Sequence, residues 1–330
     1  MKKFEKWRVV VYFELFMKRY LLLLALAVLC PPAQAAPDTV KVGAYVMSVH
    51  DINFHDKEYT ARFWLWFLYN DRKFDFVKQL DITNAKTIDT PQLLQDSIGT
   101  QQWSMLKMKC IMKENWNVLD FPFDKQHLRI HIENSLFDRN DLIFKPDVRG
   151  SKFDPDETLA GWKIKNFNVN ASEKLYETGF GDYRPGKDHQ VFSAFNIEMD
   201  IERNAWGLFL KIFIGMYISF LIAMVGFAPH PSEVEPRFGL PVGGLFAAVG
   251  NKYIIDSILP ESASFTLVDT LHSITFFTIF AILVVSAICL KLHDMEKVEE
   301  SVRVNRIGSK MVASIYVLAN VILVWAAAAS

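Results

Sequence analysis

A chain of 330 residues that is 51% hydrophobic and carries a formal net charge of -1 has room for one or two domains, and that balance argues against nucleic-acid binding and against a strongly basic membrane-surface role. No Gly-rich phosphate loop, nucleophile elbow or dense carboxylate cluster stands in it, so the sequence does not read as an enzyme and calls for no cofactor.

Residues 1 to 35 read as an extended secretory signal: Lys2, Lys3, Lys18 and Arg19 precede the apolar run Leu21 to Leu29, and Pro31, Pro32 and Ala33-Gln34-Ala35 follow it. Cleavage there starts the mature chain near Ala36 and leaves Cys110 and Cys289, one in a polar half and one in an apolar span, which is no disulfide framework. Export with so few cysteines points to a bacterial envelope protein.

From Asp38 to Arg203 the apolar stretches are short, alternate, and are broken by Asn, Asp, Gly and Pro, the pattern of an antiparallel β-sandwich. Thr39 to Ser48, Arg62 to Tyr69, Gln126 to Glu133, Trp162 to Val169, Leu175 to Phe180 and Gln190 to Glu202 are the strand candidates, with Gly179, Gly181, Pro185 and Gly186 punctuating a long hairpin. His127 and His131 sit four residues apart, which on a strand is about 13 Å and too far for one metal ion. A structural role for both is expected, and no metal site.

Four apolar spans follow: Trp206 to Phe227, Phe238 to Leu259, Phe265 to Leu290 and Ile307 to Ala328, each near the about 20 residues a membrane crossing needs. If the sandwich is exported, Ala228 to Arg237 and Lys291 to Arg306 fall in the cytosol, and Lys291, Lys297, Arg303 and Arg306 agree with that. The second span is unlike the others. On a helix wheel Gly239, Gly243, Phe246, Gly250, Tyr253 and Ser257 share one face, which carries no long aliphatic chain and is unsuited to lipid. Such a face either packs closely, as the GxxxG of Gly239 and Gly243 allows, or lines water among several copies of the helix. Lys252 and Asp256, four apart and off that face, can pair with each other.

The tract Asn117 to Gln126, NVLDFPFDKQ, resembles the FPFD loop of the pentameric ligand-gated ion channels, the Cys-loop receptor family. Lys113 and His127 stand where the family's flanking cysteines would fall, as in its prokaryotic members. Arg203 just before span one, Leu259-Pro260 closing the second helix, and Tyr69-Asn70-Asp71-Arg72 in place of a Trp-x-Asp strand end extend the resemblance over residues 38 to 330. Span one has Gly215 about where the family has a proline.

The resemblance implies an immunoglobulin-like extracellular sandwich over residues 36 to 203, a four-helix transmembrane domain over residues 204 to 330, and a homopentamer in the bacterial inner membrane with the sandwich in the periplasm. It puts Gly239, Gly243, Phe246, Gly250 and Tyr253 on the pore, Phe246 as a hydrophobic gate, and Glu235 as a ring of carboxylates selecting cations. It places an agonist between subunits, behind the hairpin Leu175 to Gln190 with Tyr176, Phe180 and Tyr183, beside Glu133, Asn134 and Phe137, and against Trp64 and Trp66 of the neighbour. Aromatic faces with a carboxylate suit an ammonium ligand. Coupling would run through Pro122, Asp124, Arg203 and Pro260, with Asp124 and Arg203 paired. Two other readings stay open: a channel of the same fold opened by protons, and a membrane-anchored sensor that does not conduct.

Overall fold

In a computed structural model, residues 17, 19, 36–71, 73–156, 159–184, 188–260 and 264–329 are described. The secretory signal, apart from Met17 and Arg19, lies outside the described residues, as do Arg72, Pro185 and Gly186. Strands β1 (Asp38–Asn53), β2 (Glu58–Tyr69), β3 (Leu80–Ile82), β4 (Ala85–Ile88), β5 (Gln92–Ile98), β6 (Gln101–Lys113), β7 (Lys125–Asn134), β8 (Leu142–Pro146), β9 (Lys152–Phe153), β10 (Trp162–Tyr176) and β11 (Gln190–Arg203) build the N-terminal domain. They form two sheets. One runs β4-β6-β2-β1-β8, with β5 also on β6 and β9 also on β1; the other runs β10-β11-β7-β3.

Alternation decides which side chains fill the space between the sheets. On β2, Phe63, Leu65 and Phe67 are buried while Trp64 and Trp66 between them stay partly exposed. Val42 and Ala44 on β1, Leu106 and Met108 on β6, Ile130 and Ile132 on β7, and Ile197 and Met199 on β11 meet them. Each buried Leu, Ile, Val, Phe or Met contributes about 1.5–3 kcal/mol. Burial pushes the Cys110 thiol up to about 12, so it behaves as a small apolar side chain.

Two expectations need correcting. The sandwich is not wholly antiparallel: β8 and β9 run parallel to β1, because the chain crosses from β7 in the other sheet to β8 and then continues along β1 to β9, with no tight hairpin. Leu175 to Phe180 is not a strand of its own: β10 runs unbroken to Tyr176, and the turn begins after it.

The C-terminal domain consists of α1 (Ala205–Val225), α2 (Val234–Asp256), α3 (Leu267–Asp294) and α4 (Val298–Ala329), each long and apolar enough to cross a membrane. A capping box of Thr266 and Asp269 starts α3. The cytosolic segment expected over Lys291 to Arg306 is mostly helical, leaving Met295 to Lys297 as the turn. Pairing of α3 with α4 continues past the apolar spans. The Ser301 hydroxyl donates to the Cys289 carbonyl at 2.6 Å, and Gly308 admits the Val285 side chain.

Candidate functional site

Helix α2 presents two faces with different chemistry. Arg237, Pro241, Gly244, Ala248 and Ile255 are buried, and Gly244 is the glycine that packs, lying against the Ser219 carbonyl and Ala223 of α1. Gly239, Gly243 and Gly250 look away from that contact, and a Cβ placed on any of them would meet nothing within 4 Å. Phe246 and Tyr253 on the same face are 72% and 77% exposed. Close packing through Gly239 and Gly243 is therefore absent within one protomer among the described residues, and the face remains open to another copy or to water.

Glu235 and Arg237 at the start of α2 are separated by their positions around the helix. Glu235 is exposed in the first turn of the helix. Arg237 points about 200 degrees away and is fully buried, donating to the Pro229 carbonyl at 2.9 Å and to Asn305 Oδ1 at 2.7 Å. The guanidinium thus binds α4 and the α1–α2 turn, leaving the carboxylate alone on the exposed side. At the other end of α2, Lys252 pairs with Asp256 and, at 2.8 Å, with Asp269 of α3.

The expected agonist residues are divided between the two sheets and the loops beside them. On the β10-β11-β7 sheet, the Tyr176 hydroxyl donates to Glu133 Oε2 at 3.0 Å, and the Tyr176 ring lies 5.5 Å from Phe180 and 5.7 Å from Phe192. His131 Nε2 holds the other Glu133 oxygen at 2.6 Å, and its Nδ1 lies 2.6 Å from Asn196 Oδ1 and 2.7 Å from Arg129 Nη2. Burial together with the Glu133 charge pushes the Tyr176 phenol up to about 12, so it stays a donor at neutral pH. The same two causes raise the Asp81 carboxyl. Asn134 is buried; its Oδ1 accepts from the Leu136 and Phe137 backbone, and its Nδ2 has no partner among the described residues. Phe137 meets Phe74 edge-on at 5.1 Å, with the Lys73 ammonium 5.4 Å from its ring. Phe180 and Tyr183 are exposed on the hairpin.

Trp64 and Trp66 lie on the other sheet. The Trp66 ring covers Gly43, where a Cβ would collide with it, and Lys107 Nζ sits 5.3 Å from the Trp64 ring. One chain does not bring the two groups together, so a cage made of both needs a second copy placed side by side with the first.

The expected coupling pair is formed. Arg203 Nε donates to Asp124 Oδ1 at 2.7 Å and Nη2 to Oδ2 at 3.2 Å, both side chains being nearly enclosed. Trp162, Phe54 and Phe121 surround the guanidinium at 4.0, 4.7 and 5.0 Å. Pro122 follows a cis peptide bond after Phe121, and Phe123 packs on Trp206 and Phe209 of α1 at 5.1 and 5.5 Å. Leu267 donates its backbone N–H to the Leu119 carbonyl at 2.8 Å, which ties the same loop to the start of α3, while Pro260 is buried at the end of α2. The loop therefore touches two helices at once.

His131 and Lys73 were missed as neighbours of the candidate ligand site. The signal for His131 was its place on the same side of β7 as Glu133, two residues on; Lys73 has a local partner in Asp71, but only the fold brings it to Asp38 and Phe137. His127 and His131 hold separate partners, Asp200 and Glu133. No protein-family model matches the sequence, and no curated protein matches it.

Proposed function

We propose that this chain is one subunit of a homopentameric ligand-gated cation channel of the bacterial inner membrane, with the sandwich in the periplasm and α2 around an axial pore. The observation that carries this reading is the open face of α2, where Gly239, Gly243, Phe246, Gly250 and Tyr253 are turned away from all packing in the protomer. A lipid-facing helix gains from long aliphatic chains, and this face has none. Five Phe246 rings make the narrow, apolar waist that gates by dewetting, with glycines widening the path on either side. Five Glu235 carboxylates at the cytosolic mouth attract cations, and Arg237, committed to Asn305, does not cancel them.

The agonist is a small amine held between subunits. Tyr176, Phe180 and Tyr183 with the Glu133 carboxylate supply one wall, beside Asn134 and Phe137, and Trp64 and Trp66 of the neighbouring copy supply the other. Amine binding draws the hairpin inward, and the strain passes through Pro122, Asp124 and Arg203 to α1, and through Leu119 and Pro260 to α3 and α2. A differential affinity of a few kcal/mol between closed and open states suffices. Membrane lipids and the permeating cations are the other partners; neither a cofactor nor nucleic acid enters.

The test is the reversal potential of proteoliposomes under a NaCl gradient. The wild type should reverse near the sodium equilibrium potential, and Glu235→Gln should move reversal toward zero. A wild-type reversal at the chloride equilibrium potential overturns the assignment of Glu235.

A further inference from the structure

His272, on α3, is fully buried among three helices. Its Nδ1 lies 2.8 Å from the Val268 carbonyl, one turn back on the same helix, and its Nε2 lies 3.1 Å from Asn251 Oδ1 on α2. The Asn251 amide is anchored in turn, because its Nδ2 donates to the Ile212 carbonyl of α1 at 3.1 Å. Gly215 of α1 lets that amide approach: a Cβ there would meet Nδ2 at 3.0 Å.

Donors and acceptors decide the protonation state that fits this frame. A backbone carbonyl only accepts, so Val268 requires a proton on Nδ1, and Ile212 requires the NH2 of Asn251. Asn251 therefore turns its own acceptor, Oδ1, toward Nε2, which must also carry a proton. A neutral ring protonated at Nδ1 leaves two lone pairs facing at 3.1 Å; one protonated at Nε2 leaves two facing at 2.8 Å. Turning the amide over only moves the conflict to Ile212. The imidazolium alone satisfies all three contacts.

Charges of both signs lie near the ring. On α2, Lys252 follows Asn251 and Asp256 lies one turn on; on α3, Asp269 precedes His272 by three residues. Lys252 pairs with both aspartates, so the cluster holds two carboxylates against one ammonium. From α1 the ring meets the Phe213 side chain at 5.8 Å, and Lys211 of that helix is exposed and turned away; from α3 itself Phe276 lies at 6.1 Å.

We propose that His272 with Asn251 is a proton-binding site that ties α1, α2 and α3 together while the proton is bound. Loss of that proton turns the Nε2 contact from attractive to repulsive and frees the Asn251 amide from either His272 or α1. The site is complete within one chain and does not rest on the pore. If α2 does line a pore, proton release loosens its outer half from one of its two neighbours.

The test is nuclear magnetic resonance of the full chain, labelled with 15N-histidine and 15N-asparagine, in lipid nanodiscs across about pH 9 to about pH 4. The His272 and Asn251 signals are assigned by their loss in His272→Gln and Asn251→Ala. The expected result is a ring with protons on both nitrogens at the acid end, a single deprotonation on raising the pH, and an Asn251 side-chain signal that moves with the same midpoint. Asn251→Ala removes a hydrogen bond to the charged form and should weaken proton affinity about tenfold or more. A ring that stays neutral in one tautomer throughout, or an Asn251 signal indifferent to the titration, overturns the proposal. Neither readout needs current, so failure here is separable from failure of the channel reading.

Discussion

Asp124→Ala should lower the unfolding free energy by about 3–5 kcal/mol, among the largest losses any single truncation in this protein would cause. The carboxylate is buried and receives two hydrogen bonds from Arg203, whose guanidinium is walled in by Phe54, Phe121 and Trp162. Removing it leaves a cation in an aromatic pocket with its nearest counter-charge gone, and that desolvation is what the variant suffers. Arg203→Ala strands the carboxylate and should cost a comparable amount. The double variant should cost less than the sum, since neither charge is then left alone. Chemical unfolding followed by tryptophan fluorescence reads this directly, because Trp162 lies against the guanidinium. A loss under about 1 kcal/mol for Asp124→Ala would place the pair in the class of solvated surface bridges and contradict the burial described here. In the channel reading the same variant, where it still assembles, opens poorly, because the loop carrying Asp124 is the one that reaches α1 through Phe123 and α3 through Leu119.

Phe246→Ala should leave stability nearly unchanged and raise agonist-independent conductance about tenfold or more. In the protomer the ring is 72% exposed and packs on little, so truncation opens no cavity and the stability change stays within about 0.5 kcal/mol. In an assembly around α2, five rings are removed at once from the narrowest point. A waist that excludes water in its closed state then stays wet. Phe277 on α3 is exposed to a similar degree, at 73%, and serves as the control. Phe277→Ala should not change basal conductance. Equal behaviour of the two variants in proteoliposome ion flux would show that Phe246 faces lipid and not an aqueous path.

What could be read from the sequence was whatever local periodicity controls. The alternation of Phe63, Leu65 and Phe67 with Trp64 and Trp66 divides the strand into two faces, though both are apolar and only the structure says which enters the core, and the wheel over α2 separates Gly239, Gly243, Phe246, Gly250 and Tyr253 from Arg237, Pro241 and Ala248. Asp124 with Arg203 was within reach because a buried carboxylate beside a motif loop needs a cation, and Arg203 stands at the domain boundary. Contacts made by partners far apart in the chain were not legible. Nothing local says that Arg237 reaches Asn305, that Tyr176 reaches Glu133, or that Asn251 bridges Ile212 and His272. The parallel seats of β8 and β9 were hidden for the same reason: a short strand's partner is chosen by the path of its connections, and composition is silent about that path. The helical stretch around Lys291 and Arg306 was masked by charge, which marks the end of an apolar span without marking the end of a helix.

Electron microscopy of the purified full-length chain in lipid nanodiscs tests the central claim most directly. The expected particle has fivefold rotational symmetry about an axis normal to the membrane, an axial lumen faced by Gly239, Gly243 and Gly250, and a constriction at Phe246. A particle of any other symmetry, or one in which the glycine face of α2 is sealed against protein with no lumen beside it, contradicts the account.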